Sequence, residues 1–221
     1  MARKKKYGRK KERARTTIQK SLIMSNNQIA RLRYVQKISL NPGTGTIATY
    51  RFRANGASDP DHTSITVGHQ PLGWDQWSTF YSNYQVLGSK LTAMAHIQNT
   101  NSTPVMITCL CNDDVNYSPT NIETVLEQGM AKYKYLQART ASPSYTKLNC
   151  YYSPKKIFGI DDQRDNRIFT GNTPGSVPQE QAFFHLSVVP DTTLANPEEV
   201  SITVQIDYTI LFTAPKTLAQ S

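Results

Sequence analysis

Four sets of residues in this chain have the chemistry to do something. The first is thiol and imidazole. Cys109 and Cys111 sit two apart in an apolar run with Val105 and Ile107, and Cys150 stands alone. C-x-C by itself is no metal signature, and His62, His69, His96 and His185 are scattered without H-x-H or H-E-x-x-H spacing. Strand alternation puts both paired cysteines on one apolar face, which predicts buried, inert thiols. His96 and His185 fall in predicted strands and read as structural. The second set is Asp161, Asp162 and Asp165. Three carboxylates can hold a hard cation, but the glycine and closing glutamate of a calcium loop are missing. Interleaved with Arg164 and Arg167, they read as a solvated loop. No G-x-S-x-G elbow, Walker loop or dinucleotide fingerprint is present. The chain reads as a non-enzyme with no cofactor and no metal.

The third set is cationic. The formal net charge is +9, and it is uneven. Met1 to Lys37 holds thirteen basic residues against Glu12, hence +12, so the remainder carries −3. Ten of the cations crowd the first twenty positions: Arg3, Lys4, Lys5, Lys6, Arg9, Lys10, Lys11, Arg13, Arg15 and Lys20. A block of like charge without apolar periodicity predicts a disordered arm, residues 1–28, that binds a polyanion. Its one aromatic is Tyr7, and nothing in it could read bases, so binding should be sequence-independent and steeply salt-dependent. The same cluster suits nuclear import. Arg31, Arg33 and Lys37 extend the positive surface onto the first strand, and Arg51 and Arg53 are candidates to add to it. The start has no apolar core of a secretory signal, and no run of eighteen apolar residues predicts a membrane helix. The three cysteines then read as reduced, and the sequons at Asn101 and Asn116 as chance matches.

The fourth set is aromatic. GHQPLGWDQWSTFYSNYQVLGSK, Gly68 to Lys90, mixes polar and ring side chains as an active-site loop does. Trp74, Trp77, Tyr81 and Tyr84 are spaced three, four and three apart. That spacing predicts one stripe on a short helix, with Phe80 beside it, packed into the core. Pro71 and Gly73 precede the helix, and Gly88 leads into the next strand. His69, Gln70, Asp75 and Gln76 should hydrogen-bond the long loop, the helix start or a neighbouring subunit. The segment reads as an anchor placed before the fourth strand position.

The elements that position these sets are strands. Alternation in Ala30 to Leu40 puts Leu32, Tyr34, Ile38 and Leu40 on one face and Arg31, Arg33 and Lys37 on the other. Ala48, Tyr50 and Phe52 alternate with Thr49, Arg51 and Arg53. Further strands are predicted at Ser89–Gln98, Pro104–Leu110, Lys132–Arg139, Tyr145–Tyr152, Gln181–Val189 and Val200–Phe212. The run at 104–110 is apolar throughout, as for a strand covered on both sides. Asn121 caps a short helix over IETVLEQ. Residues 155–178 read as a long surface loop. Eight strands, two short helices and no βαβ rhythm predict an all-β body over residues 29–221, an eight-stranded antiparallel jelly roll.

A basic arm leading into such a body resembles the coat proteins of small icosahedral viruses. The stretch RFRANGASDPD and the motif Gly68, His69, Gln70, Pro71, Gly73, Asp75, Gln76, Trp77, then Phe80-Tyr81, Tyr84 and Gly88-Ser89-Lys90 narrow the resemblance. They are similar to the GHQPxGxDQW…FY…Y.V.GSK pattern of capsid proteins from circular, Rep-encoding single-stranded DNA viruses, the circovirus-like group. That resemblance implies a jelly roll with short helices in its loops. It implies about sixty copies in a T=1 shell around circular single-stranded DNA. It also implies an interior arm, Arg3 to Arg15, that doubles as a nuclear localisation signal for a host import receptor, and hence a virion and host-nucleus location. The arm is richer in lysine than circovirus arms, which keeps a small RNA virus or satellite coat open. A nuclear nucleic-acid-binding β protein is the further alternative. No residue identifies a host-cell attachment factor or any membrane contact.

Overall fold

The computed structural model describes residues 24–64, 68–97, 103–137, 145–164, 166–191 and 196–217. Its strands are β1 (Asn27–Leu40), β2 (Ala48–Arg53), β3 (Tyr81–Ile97), β4 (Val105–Asn112), β5 (Lys132–Leu136), β6 (Thr146–Tyr152), a two-residue β7 (Gly171–Asn172), β8 (Phe183–Pro190) and β9 (Val200–Pro215). The helices are α1 (Trp74–Phe80), α2 (Ile122–Leu126) and α3 (Pro154–Phe158), with a 3₁₀ turn at Arg167–Phe169.

The strand order shows how the chain is rolled. One sheet runs β1-β9-β3-β6 and the other β2-β8-β4-β5, all antiparallel, with β7 added to β3. First pairs with last (β1 with β9), second with second-last (β2 with β8), then β3 with β6 and β4 with β5. A long hairpin wrapped on itself gives this nesting, and the result is the predicted eight-stranded jelly roll. Between the sheets lie Leu32, Tyr34, Phe52, Leu91, Val105, Ile107, Leu148, Leu186, Val204, Ile206 and Ile210, all buried. The alternation in β1 and β9 decides which side chains enter this layer, since a one-residue slip would expose the set.

β4 and β8 are buried along almost their whole length. Their outer side lies beneath the 113–131 connection: Tyr117 meets His185 edge-on at 5.0 Å. Pocket-lining residues of that connection, Thr120 to Glu123, adjoin Met106 and Val189. This is the two-sided covering that the continuous apolar run at 104–110 predicts. Asn121 caps α2 by accepting from Thr124 N at 2.8 Å.

Three expectations are corrected. The helical stripe of four aromatics does not exist, because α1 ends at Phe80 and Tyr81 opens β3 with extended dihedrals. Tyr81 and Tyr84 are strand residues, and the segment precedes the third strand in chain order. Residues 155–178 are not a free surface loop: they contain most of α3, the 3₁₀ turn and β7, and they bury Gln163, Phe169 and Thr173. The reason is polar pairing. Gln85 Nε2 donates to Gln163 O, Asn166 O and Thr170 Oγ1, while Gln163 Nε2 donates back to Val86 O. A polar, glycine-punctuated sequence can be held by backbone hydrogen bonds that leave no hydrophobic trace. The described chain therefore has three short α-helices where two were expected.

Candidate functional site

The β1-β9-β3-β6 sheet turns one face to the core and the other outward. Register fixes what the outward face carries. Arg33, Asp207, Lys90 and Tyr151 form one cross-strand row. Val35, Gln205, Thr92 and Asn149 form the next, and Lys37, Thr203, Met94 and Lys147 the one beyond. On the other side lies Arg31, opposite Thr209 and Gly88. The strands of this face thus carry Arg31, Arg33, Lys37, Lys90 and Lys147 against the single carboxylate of Asp207.

Arg33 Nε donates to Asp207 Oδ1 at 2.6 Å, and Gln205 Nε2 donates to the other carboxylate oxygen at 2.8 Å. With the pair so exposed, it is worth about 0–1 kcal/mol and serves to orient. Arg31, Lys37, Lys90 and Lys147 form no ion pair among the described residues. Lys90 Nζ lies 5.5 Å from the centre of the Tyr151 ring.

The basic arm is joined to this face. Its cations Arg3, Lys4, Lys5, Lys6, Arg9, Lys10, Lys11, Arg13, Arg15 and Lys20 lie outside the described residues. The chain enters the described part at Met24, which packs against the core cluster, and Ser25 O accepts from Tyr81 Oη at 3.0 Å. β1 begins two residues later, so Arg31 follows within one short stretch of the arm's root.

Arg51 and Arg53 do not join this surface. They belong to β2, on the opposite sheet. Arg53 donates to Asp59 Oδ2 at 2.6 Å, Asp59 O at 2.9 Å and Gln181 Oε1 at 3.1 Å. Arg51 donates to Tyr117 O at 3.4 Å. Both act as struts for loops, and alternation alone could not reveal which sheet they sit on.

The aromatic motif turns out to be a joint. Gly73 takes φ 87° before α1, a left-handed conformation that costs glycine little. Trp74 N donates to Pro71 O and Trp77 N to Gly73 O. Trp74 is buried, donates Nε1–H to Thr173 O at 3.3 Å, and meets Tyr84 edge-on at 4.8 Å. Trp77 stacks on Phe212 at 5.2 Å and 10°. Tyr84 Oη pairs with Ser58 Oγ at 2.9 Å, and burial raises its pKa to about 12. His69 stacks on Tyr34 at 4.5 Å. Gly68, Asp75 and Gln76 are exposed, Gln70 is half-buried, and Phe80 is largely open. Of the four polar side chains expected to bond the loop, His69 makes a ring contact instead. Asp75 and Gln76 face outward.

Asp61 was not foreseen. It is 2% exposed, and its carboxylate accepts from Tyr50 Oη (2.7 Å), Gln36 Nε2 (2.8 Å) and the backbone N–H groups of Thr63 and Ser64 (3.0 Å each). These bonds pin the loop after β2 to β1. The only sequence signal was an aspartate inside the RFRANGASDPD stretch.

Cys109, Cys111 and Cys150 are all buried and unbridged. Burial pushes the Cys109 and Cys111 thiols up, while a hydrogen bond with Cys109 draws Cys150 down. Asp161 pairs with Lys155 at 2.5 Å and Asp162 lies 3.9 Å from Arg164; Asp165 lies outside the described residues. No group of three or more potential ligands is gathered for a metal among the described residues.

No family model matches the chain, and no curated protein matches it. Solved structures do. That of tobacco necrosis virus is 11% identical at a TM-score of 0.50, covering 88% of this chain and 85% of that one. The semi-empty particle of the giant freshwater prawn Macrobrachium rosenbergii nodavirus is 12% identical (TM-score 0.46, 100% and 96% covered). The capsid protein of BFDV, in a decameric form, is also 12% identical (TM-score 0.44, 84% and 99% covered). The fold is the viral-type jelly roll. At such identity the likeness speaks for the roll alone, and the strand order reaches the same answer independently. On that roll, the basic sheet face and the aromatic joint are features of this chain's own side chains.

Proposed function

We propose that the chain is a coat protein. About sixty copies close into a small icosahedral shell, and the arm Arg3 to Lys20 gathers single-stranded DNA within it. One observation carries the reading: the outward face of β1-β9-β3-β6 is basic and begins where the basic arm joins the body. An arm for solubility or import alone would need no matching surface on the fold. Charge on both parts neutralises phosphate, and release of counterions makes the attraction strong and salt-sensitive. Beyond Lys37 the chain carries a net −3, which leaves the remaining surfaces unattractive to nucleic acid. The same lysines and arginines would serve an import receptor, bringing the protein to a host nucleus where such DNA is copied.

Electron microscopy of the purified protein tests this. Closed particles of uniform size, lost or emptied when Met1 to Lys20 is deleted, support it. Monomers at every salt concentration, with or without single-stranded DNA, overturn it. Extraction of the packaged polymer separates DNA from RNA. RNA would move the assignment to a small RNA virus or satellite coat, since the arm's cations do not discriminate between sugars.

A further inference from the structure

Next to Arg31 and Arg33 the outward sheet face is hollowed. A groove of about 580 Å³ is lined by Arg31, Arg33, Gly88, Lys90, Asp207 and Thr209. Its cause is local. The β3–β9 register shifts between Val86 and Gly88, a bulge, and Gly88 places no side chain where a cross-strand neighbour of Thr209 would stand. The volume lies within the range that takes a small-molecule-sized group. The rim is chemically specific. Asp207 engages Arg33 through Nε, and the terminal nitrogens of Arg33 make no hydrogen bond among the described residues. Lys90 stands between Asp207 and Tyr151 in the same row, and Tyr151 is 55% exposed. Four strands at about 4.8 Å spacing put Arg33 and Tyr151 about 14 Å apart.

We propose that this groove, together with Tyr151 beside it, is a binding site for single-stranded nucleic acid, with phosphates held by Arg31, Arg33 and Lys90 and a base stacked on Tyr151. The proposal deepens the coat-protein reading and rests on it for the polymer. Cations in a row with a solvent-exposed aromatic ring, approached by Lys90, are what a single strand needs and a duplex cannot use. A duplex keeps its bases stacked on each other, so only its phosphates would touch the face. The arm supplies charge; the groove adds a preference for unpaired bases. Sequence preference stays low, because every base has a face to stack. A protein partner fits less well, since the groove is rimmed by cations and its one carboxylate is already paired.

The test uses the full chain and variants that leave the arm intact. The probe is a labelled oligothymidylate of about 15 nucleotides, within the usual range of single-strand sites, with a duplex of the same length as comparison. Tyr151→Ala should weaken oligothymidylate binding about 5- to 150-fold and leave duplex binding and the salt slope unchanged. Gly88→Val fills the floor without changing charge. A Cβ there meets Tyr152 O at 3.4 Å, an ordinary contact, so the fold should bear it. It should also weaken the single strand selectively. Lys90→Gln should lower the salt slope by about 1. Photocrosslinking of iodouracil-containing strand should tag the peptide that holds Tyr151. Unchanged single-strand affinity in Tyr151→Ala and Gly88→Val, equal loss for duplex, or crosslinks confined to the arm would each overturn the groove. So would variants that bind strand normally but form no particles, which would make the face a subunit contact. Selective loss in a protein that never forms particles keeps the groove and rejects the coat reading.

Discussion

Trp74→Ala is the sharpest test of the joint before β3. The ring is 1% exposed, lies edge-on to Tyr84, tilts against Phe212 at 5.9 Å, and hydrogen-bonds Thr173 O. Truncating a buried tryptophan to alanine costs about 3–5 kcal/mol, because the cavity collapses only in part. For a chain of this size each kcal/mol lowers Tm by about 2–4 °C, so the fall should be roughly 6–20 °C. Trp74→Phe separates the two contributions. It keeps most of the packing but leaves Thr173 O without its donor, at about 1–3 kcal/mol. Trp77→Ala should cost less than Trp74→Ala, since Trp77 is only half-buried and loses chiefly its stack on Phe212. The measurement is Tm by far-ultraviolet circular dichroism, which does not depend on the tryptophan removed. A Trp77→Ala loss equal to or above that of Trp74→Ala would refute the assignment of Trp74 as the pin. So would a Trp74→Ala fall of under about 2 °C.

His185 sets an acid limit. Burial, then Arg51, lower its pKa from 6.5 to about 4, against an opposing pull from Asp114. Its folded pKa lies below its unfolded value, so the unfolded chain takes up the proton first and stability falls between about pH 6.5 and 4, by on the order of 3 kcal/mol. A pH series of unfolding midpoints should show the slope, and His185→Gln should flatten it; equal slopes would count against it. Asp61→Asn replaces an all-acceptor carboxylate with an amide that faces donors on every side, and should cost about 1–3 kcal/mol in chemical denaturation. Gly171→Ala puts a Cβ 2.4 Å from the Tyr84 ring and 2.6 Å from Ser176 O, so it should destabilise despite its small size. A Tm equal to that of the unaltered chain would argue against the packing of β7 on β3. All three thiols are buried, so a thiol reagent should label none in the native chain and three after unfolding.

What the sequence disclosed follows from which forces leave a periodic mark. β1 and β9 were legible because one face is buried and the other solvated, and strict alternation is the signature of that difference. The β4 run was legible for the complementary reason, burial on both faces. Arg31, Arg33 and Lys37 could be assigned to the outward face from the pattern alone. Lys90, Lys147 and Tyr151 could not, because their union with β1 depends on which strands become neighbours. β9 lies between β1 and β3 although most of the chain separates it from β1 in sequence. Asp61 and Gln85 left no trace, since a buried polar side chain that bonds loop backbone looks like any surface residue in sequence.

The misreading of Tyr81 and Tyr84 has the same root as the groove. Before the irregularity, Tyr84 and Val86 pair with Phe212 and Ile210, so even-numbered residues of β3 point into the core. After it, Ser89 pairs with Tyr208 and Leu91 with Ile206, so odd-numbered residues point in. The extra residue between Val86 and Gly88 reverses the phase. Alternation therefore becomes readable only from Ser89, and upstream of it Tyr81 and Tyr84 continue the spacing of Trp74 and Trp77 in α1, so the start of β3 mimics more helix. A bulge that erases a sequence pattern is useful to the fold only if it gains something locally. Here it opens the sheet surface at Gly88, in the Arg31 row at the end of the basic face and next to the row of Arg33 and Lys90. Restoring the phase by deleting Leu87 should therefore test structure and function together. If the bulge merely relieves packing, the shortened strand should fold with strand binding intact. If it exists to form the groove, the roll should persist by circular dichroism while selective affinity for oligothymidylate is lost.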